Sequence, residues 1–190
     1  LMFDGEKRRI DARPESIKAA CEASLKRLQR DVIDLYYMHR PDKNVPIEDS
    51  MGAMADLVKE GKIRMVGLSE MGAGLLRRAH AVHPVSAMQS EYSLLTRNPE
   101  IAVLDACREL GVTFVPFSPV GRGYLADNPP APKDYHASDM RRIFPRWTEP
   151  YWTENLPLLK QAQEMAGDLG CTMSQLAIAW TLVKDTDCVP

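Results

Sequence analysis

Cysteine is scarce and scattered in this 190-residue chain: Cys21, Cys107, Cys171 and Cys188 form no C-x-x-C pair, so neither a zinc ribbon nor a dense disulfide framework is implied. They lie mostly in helical or strand patterns and read as buried thiols. No run approaches the roughly 18 apolar residues that a membrane-spanning helix needs, and the first residues lack the profile of a secretion signal, so a cytoplasmic location is expected. Neither sign of charge dominates. With 24 Lys and Arg against 26 Asp and Glu, the formal net charge is -2, and no field would draw nucleic acid or an anionic bilayer. No cluster of histidines and carboxylates marks a metal site, which argues against a metal-dependent hydrolase. A Gly-x-Gly-x-x-Gly phosphate loop is also missing. These exclusions leave a protein whose partners are small molecules.

The rest of the composition is that of one globular domain over residues 1–190, 45% hydrophobic and able to build a core. Four β-rich apolar runs each finish on a polar residue capable of chemistry: Asp31 to His39, Ile63 to Ser69, Val85 to Gln89 and Val112 to Ser118. The run over 31–38 is nearly continuous in apolar character, which predicts a strand buried on both faces, with Asp34 as a hydrogen-bonded structural carboxylate. Helical patterns lie between the runs. Residues 14–28 start with Pro14 in the first turn and line up Ile17, Cys21, Leu25 and Leu28. The helix from Pro46 lines up Ile47, Met51, Met54 and Leu57 and stops at Gly61, and further helices are expected near 72–81 and 99–110. Such alternation predicts parallel βα units of an α/β barrel, whose C-terminal rim is where barrels of this type carry active sites.

After Ser118 the alternation stops for a stretch rich in Pro, Arg and aromatics. Its Tyr124, Phe144, Trp147, Tyr151 and Trp152 read as a lid over a ligand or as surface packing. Helices over 154–169 and 174–184 follow, with Met51, Met54 and Met165 as core fillers. Cys188 to Pro190 reads as a strand cut short. Five strands where a closed barrel needs eight imply an incomplete barrel.

The motifs His39-Arg-Pro-Asp42, Gly67-Leu-Ser-Glu70, Gln89-Ser-Glu-Tyr-Ser93 and Pro116-Phe-Ser-Pro-Val-Gly-Arg-Gly123 resemble those of the aldo-keto reductases. So does the helix Cys21-Glu-Ala-Ser-Leu-Lys-Arg-Leu28 leading into Asp31-Val-Ile-Asp-Leu-Tyr-Tyr37. The stretch Arg77 to Pro84 looks like the microbial and plant branch that includes pyridoxal-reductase-like and auxin-induced-type members. The resemblance runs from about Pro14 to Pro190. It implies a (β/α)8 TIM barrel, with this chain covering about strands 4 to 8, and an oxidoreductase that acts on CH–OH donors with NADP as acceptor. It also implies that the family's catalytic Asp, Tyr and Lys lie before Leu1, that its adenine contacts lie after Pro190, and that the isolated chain is nearly inactive.

Hydride transfer to a carbonyl builds negative charge on oxygen, so the site needs a proton donor and a group that fixes that oxygen. The resemblance gives the second task to His39; on the residues alone, a lone histidine there is as readily structural. Ser69 and Gln89, at successive strand ends, would bind the carboxamide of NADPH, or else satisfy loop backbone groups. Phe117 would stack on the nicotinamide, or else fill the barrel core. Ser118, Pro119, Val120, Gly121, Arg122 and Gly123 offer a hydroxyl, backbone N–H groups beside two glycines and a guanidinium, which suit a pyrophosphate. Glu70 stands where some branches have Asn and receives no cofactor contact. The substrate is a small carbonyl compound and no metal is expected. The alternative is a non-catalytic barrel subunit that senses the nucleotide and binds a protein partner. Nothing in the sequence speaks to oligomeric state.

Overall fold

The computed structural model describes residues 2–4, 7–184 and 188–190 and opens on an antiparallel pair, β1 (Met2–Asp4) and β2 (Lys7–Arg9), that the sequence pattern does not announce. From Pro14 onward the expected alternation holds. Helix α1 (Pro14–Leu28) is followed by β3 (Ile33–Met38), α2 (Ile47–Lys59), β4 (Ile63–Ser69), α3 (Ala73–Val82), β5 (Ala87–Glu91), α4 (Val103–Leu110) and β6 (Thr113–Phe117). The helix expected over 99–110 is shorter, because a 3-10 turn over Asn98–Ile101 breaks at Ala102 before α4 begins. All four strands from β3 to β6 are parallel and pair in chain order, and the tail adds a parallel bridge from Cys188 to Phe114. This single bridge lies in the segment expected as the fifth strand.

Side chains alternate across a strand, so each strand presents two faces. One face carries Met38, Val66, Leu68, Met88 and Phe114, all 6% exposed or less, and α2 and α4 pack on this sheet. With Met51, Met54, Leu57 and Leu76 they form the core; burying each such side chain stabilises by about 1.5–3 kcal/mol. Cys21, Cys107 and Cys188 are buried as expected, while Cys171 is only half-buried. The expectation that β3 is buried on both faces is not met within this chain: among the described residues it is the outer strand of the four, flanked by β4, and only Met38 of its six residues is buried. Asp34 there is exposed and pairs with Arg64 at 2.6 Å.

The chain divides into two compact units, each described by itself: Leu1–Tyr92 with Arg97–Phe117 and Asp187–Pro190, which holds the elements above, and Ser93–Thr96 with Ser118–Thr186. The second is helical, with α5 (Tyr151–Asp168) and α6 (Met173–Lys184). A capping box starts α6: Gln175 N–H donates to Thr172 Oγ1 (3.1 Å), and Thr172 N–H donates to Gln175 Oε1 (2.9 Å).

Of the aromatics expected as lid or surface residues, Tyr124, Trp147 and Trp152 are instead in the core of this unit, where large rings bury much area at low entropic cost. Tyr124, Trp147 and Trp152 are 2%, 1% and 7% exposed, the two indoles stack at 5.7 Å, and Tyr124 meets Trp147 edge-on at 4.9 Å. Phe144 packs against this cluster, whereas Tyr151 is exposed. Met165, expected as core filling, is 57% exposed, since α5 buries the face of Trp152, Leu159 and Ala166 instead. Among the described residues, no helix is long and apolar enough to cross a membrane.

Candidate active site

Strand alternation puts Tyr37 and His39, Gly67 and Ser69, Ala87 and Gln89, and Val115 and Phe117 on the sheet face opposite the buried one. The register sets His39, Ser69 and Gln89 level, with Phe117 two residues further along. Ser69 pairs with Gln89, Glu91 pairs with Phe117, and His39 follows Met38 as Ser69 follows Leu68, its partner. An imidazole, a hydroxyl, an amide and an aromatic ring are therefore gathered at one end of one face. Gln89 is the third residue of its strand rather than the last, because Ser90 and Glu91 continue pairing with β6 after the apolar run has ended.

Burial differs sharply across this set. Ser69 is 2% exposed, while His39 is exposed and Gln89 and Phe117 are half-buried. Partial desolvation of the ring, and then the neighbouring Arg40 charge, hold the His39 imidazole below its ordinary pKa, so it is neutral at pH 7 and carries one N–H donor. Tyr37 lies with its ring over Gly67, and burial pushes its phenol up; the same cause pushes Tyr36 up to about 12. A cavity of about 620 Å³ beside β3 is lined by Tyr36, Tyr37, His39, Arg40 and one side of α1.

Two residues not assigned from sequence brace these strand ends. Arg40 Nη1 donates to the His39 carbonyl oxygen (2.8 Å) and to Ser69 Oγ (3.1 Å), tying the exit of β3 to that of β4. Glu70 has a left-handed backbone (φ 55); its N–H donates to the Gln89 carbonyl (2.8 Å) and its Oε1 accepts from Glu91 N–H (2.7 Å), tying β4 to β5. The position of Arg40 directly after a strand-end histidine is a usable sequence signal. Glu70 has none, since a strand-end carboxylate looks like any solvated charge.

Residues Ser118–Gly123 belong to the second unit and form a tight turn with positive φ at Ser118, Gly121, Arg122 and Gly123. A Cβ on Gly121 would stand 3.0 Å from Leu95, so glycine suits both the φ and the space. The expectation of open N–H groups at these glycines is not met: Gly121 N–H donates to Ser118 O (2.8 Å) and Gly123 N–H to Val120 O (3.1 Å). A turn this tight closes its own hydrogen bonds. The Arg122 guanidinium lies over the Phe144 ring at 5.0 Å, and Pro119 and Val120 are half-buried. Among the described residues no group of three or more His, Cys, Asp or Glu could hold a metal ion.

Comparison with known proteins joins these observations. The model of the Aldo/keto reductase family matches residues 4–190. Aldo-keto reductase str7 of Strobilurus tenacellus is 45% identical over 174 residues, 90% of this chain and 52% of that protein, so the chain spans about half the length of this curated relative. The glycerol dehydrogenase AKR11B4 from Gluconobacter oxydans has the same fold, with a TM-score of 0.89 over 99% of this chain and 59% of its own at 24% identity. A thermostable aldo-keto reductase, Tm1743, solved with the inhibitor epalrestat, gives 0.70 over 94% and 55% at 29% identity. The parallel sheet of β3 to β6 with its helices is part of a (β/α)8 barrel, and the chain belongs to the aldo/keto reductase family.

Proposed function

We propose that the protein carrying this chain is a cytoplasmic, NADPH-dependent oxidoreductase that reduces aldehydes or ketones to alcohols, with residues 1–190 in its single barrel domain. The observation that carries this reading is the level placement of His39, Ser69 and Gln89 on one sheet face, with Phe117 on the same face two residues further along β6. The donor set fits a nicotinamide, which needs a flat apolar partner and polar groups for its carboxamide; Phe117 supplies the first, Ser69 and Gln89 the second. When bound, NADPH supplies the hydride. Neutral His39 donates its N–H to the carbonyl oxygen, fixing the substrate and stabilising charge as it grows there. The proton that completes the alcohol is assigned to the tyrosine that the resemblance places before Leu1. In the turn Ser118–Gly123 the pyrophosphate falls to Ser118 Oγ and the Arg122 guanidinium, with Pro119 and Val120 shaping the turn, because the glycine N–H groups are already bonded.

The test uses the whole protein, with NADPH binding followed by tryptophan fluorescence and NADPH oxidation followed with a panel of aldehydes. His39→Ala is expected to lower kcat/KM about 100-fold or more while leaving the NADPH Kd within about twofold. Binding without turnover of any carbonyl compound would favour the nucleotide-sensing subunit instead. A folded protein that does not bind NADPH refutes both readings.

A further inference from the structure

A serine hydroxyl has one proton to give and two lone pairs to receive with, so its direction in a site is set by whichever partner commits first. At Ser69 that partner is Arg40. A guanidinium has donors only, so the 3.1 Å contact from Arg40 Nη1 necessarily occupies a lone pair of Ser69 Oγ and leaves the O–H proton unspent by this contact. The other hydrogen of the same Nη1 goes to the His39 carbonyl oxygen at 2.8 Å, which fixes the guanidinium against the end of β3. Ser69 is 2% exposed, so water competes weakly for the hydroxyl, and a charged donor both strengthens the bond and polarises the O–H.

Resting on the function proposed above, we infer that Arg40 is a positioning residue: by occupying one lone pair of Ser69 Oγ and polarising its O–H, it favours donation by the hydroxyl, and so favours a carbonyl oxygen, that of the nicotinamide carboxamide, over an amide N–H as its ligand. The arrangement discriminates by acceptor strength. A sulfur in place of the carboxamide oxygen, as in the thionicotinamide analogue of NADP, is a poorer acceptor and is bound more weakly, by an amount that depends on Arg40.

The experiment measures the Kd of NADP and of thionicotinamide-NADP for the whole protein and for R40M, R40K, S69A and R40M/S69A, with folding checked by circular dichroism. Loss of one charge-assisted hydrogen bond predicts that R40M and S69A each weaken NADP binding about tenfold. The double variant should be no weaker than either single one, since both remove the same interaction. R40K, whose ammonium is also donor-only, is expected within about threefold of wild type. Preference for NADP over the thio analogue should fall together in R40M and S69A. If S69A leaves NADP affinity unchanged, the assignment of Ser69 to the cofactor fails. If S69A weakens binding but R40M does not, or their effects add, the inference about Arg40 fails alone. Should R40M not fold, R40K decides: a loss as large as that of S69A overturns the donor-only argument.

Discussion

Gly67 in β4 and Tyr37 in β3 are registered partners on the site face, and the tyrosine ring lies where a larger residue at 67 would put its first carbon. A Cβ built on Gly67 would stand 2.5 Å from Tyr37 Cδ1, 2.6 Å from Cε1 and 2.9 Å from Cγ. Because Cγ is the root of the ring, swinging the far edge aside does not relieve the contact; the whole ring has to leave its rotamer or the strands have to part. Overpacking of this kind costs about 1–3 kcal/mol, and an off-rotamer side chain about 0.5–1.5 kcal/mol. Reduced freedom of the unfolded chain returns about 0.4–1 kcal/mol. Gly67→Ala is therefore expected to destabilise by roughly 2 kcal/mol. Urea unfolding followed by far-UV circular dichroism measures it, since no tryptophan lies in the unit that holds β3 and β4. The clash needs both partners, so the cost of Gly67→Ala should shrink by at least half in a Tyr37→Ala background. A Gly67→Ala variant as stable as wild type, or one whose cost adds to that of Tyr37→Ala, refutes the account of this face.

Tyr124→Phe is expected to be neutral or to stabilise by up to about 1 kcal/mol, because the Tyr124 hydroxyl is sealed from solvent with no hydrogen-bond partner among the described residues. Thermal unfolding followed by tryptophan fluorescence reads it, and a loss above about 1 kcal/mol would show that the hydroxyl has a partner after all. Glu70→Ala should lower stability by about 1 kcal/mol by removing the hydrogen bond its Oε1 accepts from Glu91 N–H, whereas Glu70→Asn, better suited to the left-handed φ of 55, should lose less; urea midpoints decide the order. The His39 imidazole should titrate below 6.5 by proton NMR and move back toward that value in R40M. Its folded pKa is depressed, so the folded state resists protonation; the contribution to stability is complete above about 6.5 and is lost as the pH falls from there to the folded pKa. An unshifted midpoint counts against the desolvated, Arg40-flanked environment.

The parts of the fold that rest on period and punctuation were legible, because those signals are local. Met51, Met54 and Leu57 recur at helical spacing, and Ile63 to Ser69 is bounded by Gly61 and by Glu70, so both elements fall where the pattern puts them. The gathering of His39, Ser69, Gln89 and Phe117 toward one end of one face was legible for a further reason. Successive parallel strands of similar length, joined by helices on one side, must end on the same side. Burial was less legible, because it depends on what lies alongside an element rather than on the element itself. The run 31–38 has the composition of an interior strand, yet among the described residues β3 pairs with β4 alone and stays half-open. The aromatics after Ser118 are loop residues by sequence, but no periodicity records that Tyr124, Trp147 and Trp152 find one another across turns. The braces are illegible for the same reason. Arg40 to Ser69 spans 29 residues and Glu70 to Glu91 spans 21, and each bond exists only once the parallel register has been set. In this chain the groups proposed to meet the ligand follow from where strands end, whereas the groups that aim them follow from which strands become neighbours. A search for function that stops at strand-end residues therefore finds Ser69 and overlooks the arginine that donates to its hydroxyl.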